Sequence, residues 1–185
     1  MRGPWKNLRP VMTAKISAVA RRSRGAVAPE KLQHFVDTFL YREDALLIDE
    51  ITRMDAERGE VDAILESTRP LPFSGHQRVS EGHPAHVSGA ELVMVTGNLG
   101  CLHAYFFHGC RWDEGWTGFG NRIHRADFKR LARVGPPVEL SSRETKTRVG
   151  ANRVVIRYAF EFRQQGELVY VGDQSAMFFR GMTLE

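Results

Sequence analysis

Gly89-Ala90-Glu91-Leu92-Val93-Met94-Val95-Thr96-Gly97-Asn98-Leu99-Gly100-Cys101-Leu102-His103-Ala104-Tyr105-Phe106-Phe107-His108-Gly109 decides the fold. It contains the longest apolar-rich run of the chain, Ala90 to Phe107, broken by Glu91, Asn98 and His103. A membrane span needs about 18 or more apolar residues without such breaks, so the run reads as a buried helix ending near His108-Gly109. A helix that is apolar on nearly every side must be wrapped by other elements.

The flanking sequence supplies a wrapper. Upstream, Pro29-Glu30 with Leu32, Phe35, Val36, Phe39 and Leu40 at helical spacing predicts a short helix with Pro in its first turn. Residues 45–51 then read as a strand, and 61–67 as its hairpin partner across a loop containing Gly59. Arg69 to Gly89 is a long loop rich in Pro, Gly and His. Downstream, strands are expected at 120–128, 138–149, 154–162 and 168–179, with Gln164-Gln165-Gly166-Glu167 as a hairpin turn. The alternation of Ile156, Tyr158, Phe160 and Phe162 suits a strand with one buried face. One helix enclosed by a curled antiparallel sheet is an α+β layout in a single domain.

Composition narrows the function. The 185 residues include 42% hydrophobic and 26% charged residues, ordinary for a globular chain with a real core. The net charge of +4 is uneven: Arg2, Lys6, Arg9, Lys15, Arg21, Arg22 and Arg24 stand among the first 29 residues without one acid. The remaining 156 residues are therefore at −3, and the basic balance does not argue for nucleic-acid binding by the folded part. Residues 1–29 read as a basic flexible tail and 30–183 as the domain. The tail is a solvated arm, an overlong start with Met12 as a second initiation site, or a strip for an acidic partner. Its composition also loosely resembles a transit peptide, without a convincing cleavage site. Cys101 and Cys110 have no metal-site spacing and are expected as reduced thiols of a cytoplasmic protein. No metal or cofactor motif is present, and no cofactor is expected.

Three segments resemble the hot-dog superfamily, and most closely its 3-hydroxyacyl-acyl-carrier-protein dehydratases. Leu46-Leu47-Ile48-Asp49-Glu50-Ile51 is similar to that family's strand after its short helix. Pro72-Phe73-Ser74-Gly75-His76, Gly82-His83-Pro84 and Val87-Ser88-Gly89 are similar to its Gly/His/Pro loop. Ala126-Asp127-Phe128-Lys129-Arg130 with Val134-Gly135-Pro136-Pro137-Val138 is similar to a later strand start. The likeness spans roughly residues 30 to 180. It implies a hot-dog fold, a homodimer with composite sites, and an acyl thioester substrate on coenzyme A or on acyl carrier protein.

The site departs from that family. Its loop histidine works with an acid five residues after the helix-opening Gly, and here that position is Met94. The family's amide four residues further on is matched by Asn98. Glu91 is the only carboxylate of the helix, and positions 91, 94 and 98 share one stripe. The loop is about four residues longer, so His76, His83 and His86 compete for the role of base. His83 is favoured because Gly82-His83-Pro84 is the best-anchored piece, and each histidine has the alternative of a structural loop role. Glu91 is either an acid, base or nucleophile, or a first-turn acid favoured by the helix dipole. Gly89 would let backbone donors approach the thioester, and Asn98 would hold the substrate or bond a neighbouring strand. His103 and His108 read as packing or surface histidines, and Trp112, Trp116 and Phe119 as core, dimer or tunnel-wall aromatics.

Three functions remain open. A dehydratase of 3-hydroxyacyl thioesters in fatty acid or polyketide assembly is the leading expectation. Its carrier protein would be drawn by Lys129, Arg130, Arg133 or the tail. A thioesterase of the same fold is the second, with Glu91 activating water and Asn98 holding substrate. A non-catalytic acyl-thioester-binding member is the third.

Overall fold

The computed structural model describes Ser23 and residues 26–181. The basic-tail reading falls almost wholly on residues outside these. Val27 nevertheless lies buried against the core, and the Ser23 hydroxyl donates to its carbonyl at 2.9 Å.

Helix α1 (Pro29–Thr38) begins with Pro at its first position, as its sequence requires, and buries Leu32, Phe35 and Val36. Strands β1 (Glu50–Asp55) and β2 (Glu60–Leu65) form the expected hairpin, with Gly59 in the left-handed conformation. The two-residue strand β3 (His86–Val87) leads into helix α2 (Gly89–His108), which Gly109 ends in a left-handed cap. Then come β4 (Trp116–Phe128), β5 (Ala132–Arg133), β6 (Val138–Gly150), β7 (Arg153–Gln164) and β8 (Glu167–Arg180).

Six strands form one antiparallel sheet in the order β1-β2-β6-β7-β8-β4, and β3 pairs with β5 in a separate ribbon. The inner face, including Val154, Ile156, Tyr158, Phe160 and Phe162, closes on α2, whose Leu92, Val95, Leu99, Leu102 and Tyr105 are buried. The α+β expectation of a sheet wrapped around one helix is met. Gln165 and Gly166 both have positive φ, the geometry of a tight hairpin turn between β7 and β8.

The expectation of a strand over 45–51 is corrected. Residues 46–49 are not in a strand, and side chains meet their neighbours' backbone needs instead. The Leu47 N–H donates to Asn98 Oδ1 at 2.7 Å, and the Asp49 carboxylate accepts from Glu66 N at 2.8 Å and Arg69 at 3.0 Å. Strand β4 begins at Trp116 rather than 120. Cys101 and Cys110 are free, buried thiols, with burial pushing both up to about 12. Among the described residues no helix is long and apolar enough to cross a membrane.

Candidate functional site

The start of α2 organises the site. The Ser88 hydroxyl accepts from the Glu91 N–H at 3.3 Å, and Glu91 Oε2 accepts from the Ser88 N–H at 2.9 Å, which is a capping box. Glu91 does more than cap. Its Oε1 accepts from the Phe73 and Ser74 N–H groups at 2.8 and 2.9 Å, and its Oε2 from the Ser74 hydroxyl. Burial acts to raise the Glu91 pKa, but the hydroxyl and amide donors together outweigh it and hold the carboxyl below its ordinary value. Fully buried and ringed by donors, the carboxylate fastens the long loop to the helix.

The three loop histidines are placed differently. His76 ends a 3-10 turn (Ser74–His76) and is exposed, as is His83. His86 is half-buried. Its backbone is gripped by the Gln77 amide, which donates to His86 O at 2.9 Å and accepts from His86 N at 3.1 Å. The ring is oriented too, with Nδ1 2.8 Å from the Pro84 carbonyl. A carbonyl can only accept, so Nδ1 carries the proton and Nε2 of the neutral ring is the free base. The Gln77 side-chain nitrogen stands 3.4 Å from that Nε2, and the His83 ring lies edge-on with centroids 5.0 Å apart.

Three residues after His86, the N–H groups of Gly89 and Ala90 take no hydrogen bond among the described residues. A Cβ at Gly89 would lie 2.9 Å from the Phe128 ring, so a side chain at the helix start would have to displace that ring.

One turn further along α2 begins an apolar chamber of about 540 Å³ between the helix and the β4 side of the sheet. Val93, Met94, Cys101, Tyr158, Phe160 and Phe178 supply apolar wall. Thr96 and Gln174 supply a polar line: the Thr96 hydroxyl is 2.9 Å from Gln174 Oε1 and 2.6 Å from Val93 O, and Gln174 Nε2 donates to Tyr170 OH at 3.0 Å. No carboxylate and no imidazole lines the chamber. Asn98 lines it while its Oδ1 serves Leu47, so of its amide only the NH2 group has no hydrogen bond among the described residues. Met94 is half-buried in the wall where the resembled family places its acid. The structure thus sets His86 just before the helix start that Gly89 and Glu91 form, where it lines a separate surface cleft with Pro84, Arg133 and Gln164, while Asn98 lines the chamber.

Sequence reasoning passed over Ser74, Gln77, Thr96 and Gln174. The Ser88-x-x-Glu91 spacing is a capping-box signature and would have assigned Glu91 its cap. The Thr96–Gln174 contact joins residues 78 apart and has no local signature. His103 and His108 belong to a separate buried cluster on Glu144. Trp112 and Trp116 are core residues, and Phe119 is 42% exposed at the chamber's rim. Of the basic rim, Lys129 pairs with Asp127 and Arg130 with Glu167. Among the described residues no group of three or more His, Cys, Asp or Glu side chains is arranged to hold a metal ion.

No protein-family model matches the chain, and no curated protein matches it. Solved structures do. A mutant thioesterase from Pseudomonas aeruginosa superposes with a TM-score of 0.50 at 16% identity, covering 74% of this chain and 84% of its own. A mutant phenylacetic acid degradation protein from Thermus thermophilus gives 0.49 at 18% identity, with 74% and 96% covered. A thioesterase from Haemophilus influenzae gives 0.47 at 19% identity, with 72% and 80% covered. The chain has the hot-dog fold. At such identities the likeness shows the hot-dog architecture and leaves the chemistry to the site. The finer likeness to 3-hydroxyacyl-acyl-carrier-protein dehydratases gains no support from them.

Proposed function

We propose that the protein is an acyl thioesterase. The observation that carries this reading is the pairing of a histidine with a fixed tautomer, His86, with two unused N–H groups three and four residues later. Hydrolysis of a thioester needs one base for water and donors for the carbonyl oxygen as charge builds there. His86 Nε2 takes a proton from water as the oxygen attacks the thioester carbon. The oxyanion forms against the Gly89 and Ala90 N–H groups at the positive end of α2. When the C–S bond breaks, the imidazolium returns its proton to the departing thiolate, leaving a free acid and a thiol. The acyl chain lies in the apolar chamber, and the Asn98 NH2 group faces it as a donor. Glu91 holds the loop that positions His86.

Dehydration would need an acid for the departing hydroxyl as well as a base. The chamber offers Met94 at the resembled acid position and no carboxylate elsewhere in its lining, which favours hydrolysis. We further infer a homodimer. The long edge strand β4 has no second partner among the described residues, and it exposes Ile123 and Phe128.

The deciding experiment is mass spectrometry of the purified protein with saturated and 3-hydroxyacyl thioesters, on coenzyme A and on acyl carrier protein. Release of free acid, lost in His86→Gln, is the expected result. Loss of water with the thioester intact would return the protein to the dehydratases. Binding without turnover would make it a non-catalytic acyl-thioester binder.

A further inference from the structure

The outer face of the sheet carries a charge pattern that thioester hydrolysis does not use. The strand register aligns Arg148 of β6, Val155 of β7, Met177 of β8 and Phe119 of β4 in one row across the sheet. Their side chains point away from α2, because the alternate residues Val154, Ile156 and Phe178 are the buried ones. The next row toward the far end of the sheet begins at Lys146 and finishes at Arg122, and Arg153 stands in the row on the other side. Rows on one face of a strand are roughly 7 Å apart. The Val155–Met177–Phe119 strip is thus bordered on both sides by cations.

Most of these cations are not neutralised among the described residues. Arg157, in the Lys146 row, is held by Asp173 through two hydrogen bonds of 2.6 and 2.7 Å. By contrast, Arg122, Lys146 and Arg148 make no ion pair among the described residues. Arg153 donates to the Met177 sulfur at 3.1 Å and lies 5.5 Å from the Phe179 ring centre. The three rows contain no carboxylate. A β-bulge produces this separation: the register slips between Glu144 and Lys146, so Glu144 turns inward to His103 while Lys146 and Arg148 turn out.

We propose that this face docks the acidic protein that carries the acyl thioester. The proposal rests on the thioester reading of the chamber. Carboxylates of the carrier meet Arg122, Lys146, Arg148 and Arg153, and an apolar side chain settles on the strip between them. Unpaired cations of one sign raise the encounter rate with an acidic partner and fix its orientation. The position also suits delivery, since Phe119 and Arg122 belong both to this face and to the wall of the chamber. The alternative basic cluster beside Phe128 is internally paired through Asp127 and Glu167. A single-stranded nucleic acid fits less well, because most of the strip between the cations is Val155 and Met177, which offer no aromatic face to a base.

The test titrates apo acyl carrier protein into the full-length chain and into Lys146→Glu/Arg148→Glu, at low and at moderate salt. Arg153→Glu serves as an independent second variant. Each variant is expected to weaken binding by about tenfold, and salt to weaken the wild type in the same direction. KM for a carrier-linked substrate rises in the variants, while turnover of the same acyl group on coenzyme A is unchanged. Equal affinity of wild type and both variants for the carrier would overturn the docking face, as would tighter binding of a single-stranded RNA oligonucleotide. Charge-dependent carrier binding without hydrolysis of either thioester would sustain the docking face and overturn only the hydrolase reading.

Discussion

His103 Nδ1 stands 3.1 Å from the Glu144 carboxylate in the interior of the molecule, and the same carboxylate accepts from His108 Nε2 at 2.9 Å. Ser142 Oγ lies 2.9 Å from the opposite His103 nitrogen, which gives the cluster the outline of a hydrolytic triad. Ser142 and His103 are both buried, however, and neither lines the chamber. The cluster is a structural anchor between α2 and β6.

That anchor sets the acid limit of the fold. Burial acts to raise the Glu144 pKa, but hydrogen bonds from His103, His108 and Thr147 outweigh it and hold the carboxyl at about 2 against an ordinary 4.5. A depressed carboxyl contributes stability above its unfolded pKa, and that stability is lost as pH falls from about 4.5 toward 2. Burial also lowers the His103 pKa, so the unfolded chain binds this proton first and stability begins to fall below about 6.5. Denaturant melts across this pH range should show stability falling with acidity. Glu144→Gln should flatten the lower part of the curve and cost on the order of 3 kcal/mol at neutral pH. An unchanged slope below pH 4.5 in the variant would remove Glu144 from this role.

Glu91→Gln should loosen the loop before it unfolds the domain. Glutamine keeps one oxygen for the Phe73 and Ser74 N–H groups, but it sets an NH2 group against the Ser88 N–H, which keeps only its bond to the Ser74 hydroxyl oxygen at 2.8 Å. Losing the carboxylate acceptor there costs about 1–3 kcal/mol at a buried site. Limited proteolysis should cut within residues 75–85 at least several times faster than in the wild type. Intact loop resistance together with lost turnover would instead place Glu91 in the chemistry.

Gln77→Ala removes the grip on His86 without touching the proposed substrate path. The expected result is a fall in kcat of about tenfold or more, with KM little changed, and an altered acidic limb of the pH–rate profile, where the base must lose its proton. A pH profile identical to the wild type's would make Gln77 a purely structural residue.

Gly89→Ala drives a methyl into the Phe128 ring at 2.9 Å. Phe128 is 54% exposed and can swing away, so Tm should fall by only a few degrees while turnover drops as β4 leaves the helix start. The pair Gly89→Ala/Phe128→Ala relieves the contact and should recover much of the activity. Failure of the double variant to recover would mean that the methyl group itself at the helix start, rather than the ring, is the constraint.

Asn98→Leu tests the second role of that amide. It leaves the Leu47 N–H without its acceptor, a loss of about 1–3 kcal/mol in chemical denaturation. If the NH2 group also holds the substrate, KM rises in Asn98→Asp as well, since aspartate keeps the Leu47 acceptor and loses only the donor.

The layout was legible because its elements have strong local periods. The apolar circumference of α2 demanded a wrapper, and the alternation from Ile156 to Phe162 identified a sheet with one wet face. Leu46-Leu47-Ile48 misled for the opposite reason. Its apolar run resembles a strand, but Asn98 and Asp49 satisfy the neighbouring backbone through side chains, a choice invisible to pattern. The three loop histidines are equivalent in composition. Only the folded loop distinguishes His86, through a glutamine nine residues earlier and a proline carbonyl two residues earlier. The Thr96–Gln174 line and the β3–β5 ribbon arise from tertiary proximity and have no period to read.

The single carboxylate of Glu91 joins what would otherwise be two independent pieces, the loop at Phe73–Ser74 and the first turn of α2 at Ser88. Neither can come free without breaking the other's bonds. In hydrogen-exchange terms the amides of Phe73, Ser74 and Ser88 should therefore open together, with one shared free energy, although they lie up to fifteen residues apart. The candidate site should then open as one unit, the histidine loop leaving together with the first turn of the helix.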